Sequence, residues 1–152
     1  MQNYGKQIPS RVLAERLASF IHIYTLYGVY RPFGVVTILA SYDPDGSYHL
    51  YMIEPSGQFF EYYASTAGKG RQVVKTELDK LDLANLSCRE GVYHVAKMLH
   101  KTHDEAKDRQ FELEISWICN ESNFETQFVP GDLQEAEEER AKNDIEQEEL
   151  GD

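Results

Sequence analysis

His100 and His103, with Asp104 and Glu105, are the densest group of potential metal ligands in the sequence. Residues three apart share a helix face, and imidazole and carboxylate both bind transition metals. The group lacks the two histidines four apart, with an intervening glutamate, that a zinc peptidase helix uses. Histidine also suits the last turn of a helix, facing the negative end of the dipole. A polar helix end is the preferred reading, and no metal is expected. Gly68-Lys69-Gly70 resembles part of a phosphate loop, but the four-residue spacer is missing and Arg71 follows where a hydroxyl residue is needed. Cys88, Cys119 and the serines and threonines are potential nucleophiles, yet nucleophilic catalysis needs a base and an orienting group, and no GxSxG-type motif marks one. Tyr42, Tyr48, Tyr51, Phe59, Phe60, Tyr62 and Tyr63 could line a pocket, but sheet faces and subunit contacts use the same side chains. No catalytic residue and no cofactor are expected.

The elements that would position these residues follow from periodicity. Pro9-Ser10 opens a segment in which Leu13, Leu17, Phe20, Ile21, Tyr24 and Tyr27 recur at helical spacing, predicting one buried stripe that ends near Gly28. Arg31-Pro32-Phe33-Gly34 is a bend, since proline biases Arg31 away from the helical region. Strands are predicted over Val35–Tyr42, Tyr48–Ile53 and Phe59–Ala67, separated by the turns Asp43-Pro44-Asp45-Gly46 and Glu54-Pro55-Ser56-Gly57. Turns this short make the three strands an antiparallel meander. Gly68 begins a second helix with Val73, Val74, Leu78 and Leu81 on one face and a Lys75–Asp79 pair on the other. Ser87 and Glu90 form a capping box for a third helix, with Val92, Val95, Ala96 and Leu99 buried, running to about Asp104. Phe111, Leu113, Ile115 and Trp117 alternate with polar residues as one strand, and Phe124–Val129 is its partner. A polar, acidic helix that frays follows Pro130-Gly131. There is no internal repeat. The expected class is α+β, helices packed on antiparallel sheet.

Ten tyrosines, seven phenylalanines and 41% hydrophobic residues in 152 support a packed body of one domain. The net charge is −11, and Gly131–Asp152 holds ten acids against Arg140 and Lys142, so most of the excess lies in the tail. Without a basic stripe, nucleic acid is rejected as a partner. Two cysteines without metal-type spacing fit a reduced, intracellular protein, and the sequons at Asn85 and Asn120 are chance matches. No stretch is long and apolar enough to span a membrane, and the first ten residues lack the plan of a signal peptide.

Tyr24-Thr25-Leu26-Tyr27 followed by Arg31-Pro32-Phe33-Gly34 resembles the helix end and strand entry of proteasome α-type subunits. Leu50-Tyr51-Met52-Ile53-Glu54-Pro55-Ser56-Gly57 is similar to that family's strand and Asp-Pro-Ser-Gly turn. Gly68-Lys69-Gly70-Arg71-Gln72, with Lys75-Thr76-Glu77, is similar to its next helix start. His103 to Asp108, leading into Phe111–Trp117, looks most like the type-3 branch, as does the acidic tail. The resemblance covers nearly the whole chain, in register.

It implies an N-terminal-nucleophile-hydrolase-like αββα sandwich, here truncated, with the N-terminal strands and first helix missing. Residues 1–130 would be the C-terminal part of the α-subunit domain and 131–152 the tail. The implied function is a non-catalytic structural subunit of the 20S core, supporting ring assembly and ubiquitin-dependent degradation in cytoplasm and nucleus. Partners would be the other α and β subunits and, through the assembled ring, regulatory particles. The family motif residues are structural: Tyr24, Tyr27, Arg31, Pro32, Phe33, Gly34, Pro55, Gly57, Gly68, Lys69 and Trp117. The chain starts Met1-Gln2-Asn3 with no threonine near, unlike the catalytic β subunits, and the pore-closing tail and activator-docking lysine pocket belong to the missing part. Gly131–Asp152 has no serine, threonine or tyrosine, so the tail carries no phosphorylation site. Two rivals stand beside this reading: an enzyme of the same fold with a processed N-terminal nucleophile, and a truncated isoform acting as a stand-alone protein-binding module outside the ring.

Overall fold

The computed structural model describes residue 5, residues 7–103 and residues 112–151, the side chains of residues 149 and 151 apart. The chain divides into two compact units, Met1–Ala67 and Gly68–Asp152.

In the first unit, Ser10–Leu26 forms α1. Pro9, at its capping position, offers no side-chain acceptor. The cap comes from far along the chain: both oxygens of Asp43 accept the Ser10 N–H at 3.2 Å, and Asp43 also accepts the Ser10 hydroxyl. A carboxylate there satisfies a free amide and meets the positive end of the helix dipole. Three strands follow, β1 (Thr37–Tyr42), β2 (Tyr48–Ile53) and β3 (Phe59–Glu61), in the antiparallel order β1-β2-β3 that the turns predict. Leu39 lies opposite Tyr51, and Ile53 opposite both Thr37 and Phe59. The Gly46 and Gly57 N–H groups close the turns onto Asp43 and Glu54 carbonyls at 2.9 Å each.

Two strand bounds differ from expectation. β1 starts at Thr37 rather than Val35, since Val35 and Val36 still belong to the exposed bend. β3 ends at Glu61 rather than Ala67, because the chain folds back over the sheet, bringing the Ser65 hydroxyl 3.0 Å from Met52 Sδ.

The stripe on α1 also differs. The buried residues are Ala14, Ala18 and Ile21, packed on Tyr51 and Ile53 with Leu17, Phe33, Leu39 and Phe59 around them, while Phe20 and Tyr27 are exposed. Close approach selects the alanines. A Cβ added to Gly57 would lie 2.5 Å from His22 Cβ and 2.9 Å from the Ala18 carbonyl oxygen, so helix and turn touch with no room for a side chain.

In the second unit α2 spans Arg71–Leu78, three residues later than expected, after Gly70 in the left-handed region at φ 75. The predicted stripe there is shallow: α2 buries no residue fully, and its ion pair joins Lys80 to Glu77 at 2.8 Å. α3 spans Cys88–Thr102, with the predicted capping box: Ser87 N–H reaches Glu90 Oε2 at 2.9 Å, and Glu90 N–H reaches Ser87 Oγ at 3.3 Å. It buries Val92, Ala96 and Met98, whereas Val95 and Leu99 are exposed. Neighbours on more than one side, α2 and α4, replace the single stripe expected. The expected end at Asp104 lies outside the described residues.

β4 (Ser116–Trp117) and β5 (Gln127–Phe128) pair antiparallel, extended by the Val129 N–H to the Ile115 carbonyl at 2.9 Å. Leu113 and Ile115 are buried while Glu112, Glu114 and Ser116 are exposed, the alternation predicted, but among the described residues paired strand begins only at Ser116; Phe111 lies outside the described residues. Phe124 is not part of the strand. A 3₁₀ turn over Asn120–Ser122 precedes it, and Asn123 and Phe124 take left-handed conformations at φ 55 and 59 to reverse the chain. α4 spans Gly131–Gly151 and is helical throughout. It belongs to the second unit, its Ala141 and Leu133 packing with Val92, Ala96, Leu113, Ile115, Val129, Tyr93 and Trp117.

Candidate functional site

The outer face of the meander is apolar. Ile38, Met52 and Phe60 stand opposite one another across the three strands, with Ala40 and Leu50 as the next row. Ile38 is 44% and Phe60 55% exposed. α1 covers the other face only, because strand side chains alternate. A second aromatic group lies at the end of α1. Tyr24 meets Phe33 edge-on at 4.7 Å between ring centroids, Tyr30 at 5.1 Å and Phe20 at 5.3 Å. Leu26 and Val29 project beside them, 62% and 90% exposed.

The structure gathers six of the motif residues at this end. Tyr24, Tyr27, Arg31, Pro32, Phe33 and Gly34 all lie on the last turn of α1 or the bend after it, with the Tyr30 N–H closing the bend onto the Tyr27 carbonyl at 3.1 Å. Phe33 alone turns inward to the core. Pro55 and Gly57 sit in the turn beneath α1, where His22 Nδ1 lies 2.8 Å from the Ser56 carbonyl and donates to it. Gly68 and Lys69 precede α2, and Trp117 borders the second core. Lys69 helps line a cavity of about 460 Å³ with Leu99, Thr102, His103, Glu112, Leu113 and Glu114.

The potential chemistry resolves as follows. His100 is on α3, its Nε2 3.0 Å from Glu138 Oε1, while Asp104 and Glu105 lie outside the described residues. Among the described residues, no group of three or more histidine, cysteine and acidic side chains is placed to hold a metal. Nor is any described helix long and apolar enough to cross a membrane.

Sequence reasoning missed a serine-histidine-carboxylate relay on the inner sheet face. Ser47 Oγ lies 2.8 Å from His49 Nε2, and His49 Nδ1 lies 2.6 Å from Glu61 Oε1. Only a cross-strand register could have revealed it. The polarity runs against a hydrolase. Hydrogen bonding to Glu61 raises the His49 pKa above its ordinary value, with burial opposing and Glu61, Asp43 and Asp45 charges adding. The Ser47 hydroxyl donates to Asp45 Oδ1 at 2.5 Å, which leaves its oxygen as the acceptor toward His49 Nε2. The serine proton is thus directed to Asp45 and not to His49, the reverse of what a general base needs. The relay locks the hairpin instead, with Ser41 Oγ donating to Ser10 Oγ at 2.6 Å beside it.

The second unit is joined by charge. Tyr93 donates to Asp144 at 2.5 Å, Lys97 and Lys101 both reach Glu148 at 2.7 Å, and the Arg140 guanidinium stacks 4.4 Å from the Tyr93 ring centroid. Lys101, then Lys97, hold the Glu148 carboxyl at a pKa of about 2.

Comparison with known proteins gives this geometry a relation. The profile of a family described as "Proteasome subunit" matches residues 1–118. The chain is 52% identical over 144 residues to the proteasome subunit alpha type-3 of Arabidopsis thaliana, covering 95% of this chain and 57% of that one. It is 55% identical over 132 residues to the protein of that name from Oryza sativa subsp. japonica, covering 87% of this chain and 53% of that one. To that of Dictyostelium discoideum it is 41% identical over 143 residues, covering 94% of this chain and 57% of that one. The chain thus spans a little over half the length of these relatives.

Proposed function

Because this chain belongs to the proteasome subunit family, we propose that it acts as an α-type structural subunit of the 20S core, without a catalytic site of its own. The observation that carries this reading is the apolar outer face of the meander. Ile38 and Phe60 are exposed and Leu50 and Met52 half-buried on a face that α1 does not cover and that Ser65 reaches only at Met52, and exposed patches of this kind mark contact surfaces. In an N-terminal-nucleophile-hydrolase-like sandwich the cover is a second sheet, and this chain would be a portion of such an αββα domain. The aromatic end of α1 then faces neighbouring α and β subunits, and the work of the chain is done by surfaces during ubiquitin-dependent protein breakdown in cytoplasm and nucleus. Regulatory particles are reached through the assembled ring. Tyr24, Tyr27, Arg31, Pro32, Phe33, Gly34, Pro55, Gly57, Gly68, Lys69 and Trp117 act here as fold-defining residues.

A second reading draws on β1, which lies at a sheet edge with backbone groups open to an added strand. There the chain is a stand-alone module that captures protein segments by strand addition outside the ring.

Native mass spectrometry of this chain co-expressed with the other α subunits separates the two. Its mass inside a ring or half-particle is the expected result, reduced by Ile38→Lys or Phe60→Lys. Exclusion of the unmodified chain from every ring sinks the first reading.

A further inference from the structure

Cys88 begins α3 and Cys119 precedes the 3₁₀ turn, distant in sequence yet adjacent in the second unit. The segments carrying them are clamped side by side. Arg89 Nε reaches Glu121 Oε1 at 3.1 Å, and Arg89 Nη2 reaches Glu121 Oε2 at 2.6 Å, a bidentate pair next to Cys88 and two residues after Cys119. Each side of the contact is fixed. The capping box holds the first turn of α3. The Cys119 N–H donates to Ser122 Oγ at 2.9 Å, and the Cys119 carbonyl accepts Ser122 Oγ at 3.1 Å and the Phe124 N–H at 2.9 Å. The Arg89–Glu121 pair brings the two cysteine-bearing segments together, and Cys119 is among the groups that, after burial, raise the Cys88 pKa. Access is unequal, Cys88 being exposed and Cys119 buried.

We propose that Cys88 and Cys119 are a redox pair that closes into an intramolecular disulfide, Cys88 meeting the oxidant and Cys119 resolving. The oxidant is a small-molecule disulfide such as oxidised glutathione. The Cys88 thiolate attacks one sulfur of that disulfide, forming a mixed disulfide on Cys88 and releasing one glutathione thiolate, which takes up a proton. Cys119, as thiolate, then attacks the Cys88 sulfur and expels the second glutathione. Two protein thiols have lost two protons and two electrons, and one disulfide has become two thiols. The fixed backbones and the neighbouring ion pair favour the second step over a lasting adduct, because they hold the segment of Cys119 beside that of Cys88. The bond would fasten the 3₁₀ turn to the head of α3.

Incubation of the reduced full chain with oxidised glutathione tests this. The expected product is lighter by two hydrogens and yields, after trypsin, peptide 81–89 linked to peptide 110–140, a link lost on reduction. In Cys119→Ala the glutathione stays on Cys88, and in Cys88→Ser the folded chain takes no adduct. The wild-type chain repeated in denaturant should carry adducts on both cysteines, which ties the link to the folded contact without relying on either variant. A stable glutathione adduct on native Cys88 without the linked peptides, links only between chains, or one pattern native and denatured would overturn the proposal.

Discussion

In the first unit α1 meets its sheet through Ala14, Ala18 and Ile21, against Tyr51 and Ile53. In the second, α3 meets α4 around the fully buried Ala141, and much of the rest is hydroxyl, ammonium and carboxylate: Tyr93 with Asp144, Lys97 and Lys101 with Glu148, His100 with Glu138. Apolar burial in the first unit uses one sheet face and leaves the other apolar and unsatisfied. The charged seam in the second satisfies itself and leaves a wet, acidic surface. The apolar sheet face of residues 1–67 is the larger hydrophobic surface, and salt-sensitive ion pairs are concentrated in the second unit.

The largest test of this contrast is Gly57→Val. It puts a branched side chain at φ 85, where a Cβ already collides with His22 and Ala18. Strain plus overpacking should cost about 3–5 kcal/mol. Amide exchange should show the loss in β1, β2 and α1 while α3 keeps its protection; equal loss in α3 would break the separation of the units. Tyr93→Phe removes a half-buried hydroxyl that donates to Asp144 and accepts from Lys97 at 3.3 Å, and should cost about 1–2 kcal/mol, confined to α3 and α4. An effect as large as the glycine variant's would mean the seam is not peripheral to stability.

Acidity should move the units in opposite directions. The His49 pKa is raised above 6.5, so its contribution is complete below that value and is lost as pH rises through the folded-state pKa. Glu148 drops from 4.5 to about 2, so its contribution is present above 4.5 and is lost as pH falls toward 2. Local opening free energies from amide exchange, corrected for intrinsic rates, should show the β1–β2 hairpin firmer at pH about 6 than about 8, and α4 looser at about 3 than about 5. Smallest is salt: raising it to about 0.5 M should loosen α4 slightly and leave the α1 contacts unchanged. Loosening of both alike would argue that charge matters equally in each.

Local structure was legible where the physics is local. Ser87 and Glu90 announce a helix start by themselves, and Asp43–Gly46 and Glu54–Gly57 announce turns that force an antiparallel meander. The direction in which a helix faces was not. Leu17 and Ile21 of the expected stripe do reach the core, but Leu13, Phe20 and Tyr24 look as good on paper as Ala14 and Ala18, and only the closeness of the Gly57 turn selects the alanines. Capping of Ser10 by Asp43, and the partnership of His49 with Glu61, depend on where strands fall across a sheet, which no spacing encodes. The six motif residues around Tyr24 and Phe33 carried the family resemblance, yet nothing in their spacing shows that four of them are exposed while Tyr24 is half-buried and Phe33 packs against the core.

The order of elements along the chain has a consequence for synthesis. Strands in the first unit pair only with their successors, so that unit can assemble as it leaves the ribosome, short loops closing early. The bonds that seat α4 bridge 51 residues from Tyr93 and from Lys97, and 38 from His100. Until α4 has emerged, the lysines and tyrosine of α3 wait without it. A pause during translation between residues 103 and 131 would leave a nascent chain with one finished unit and one open one, a form that a chaperone could recognise by its unmet positive charge.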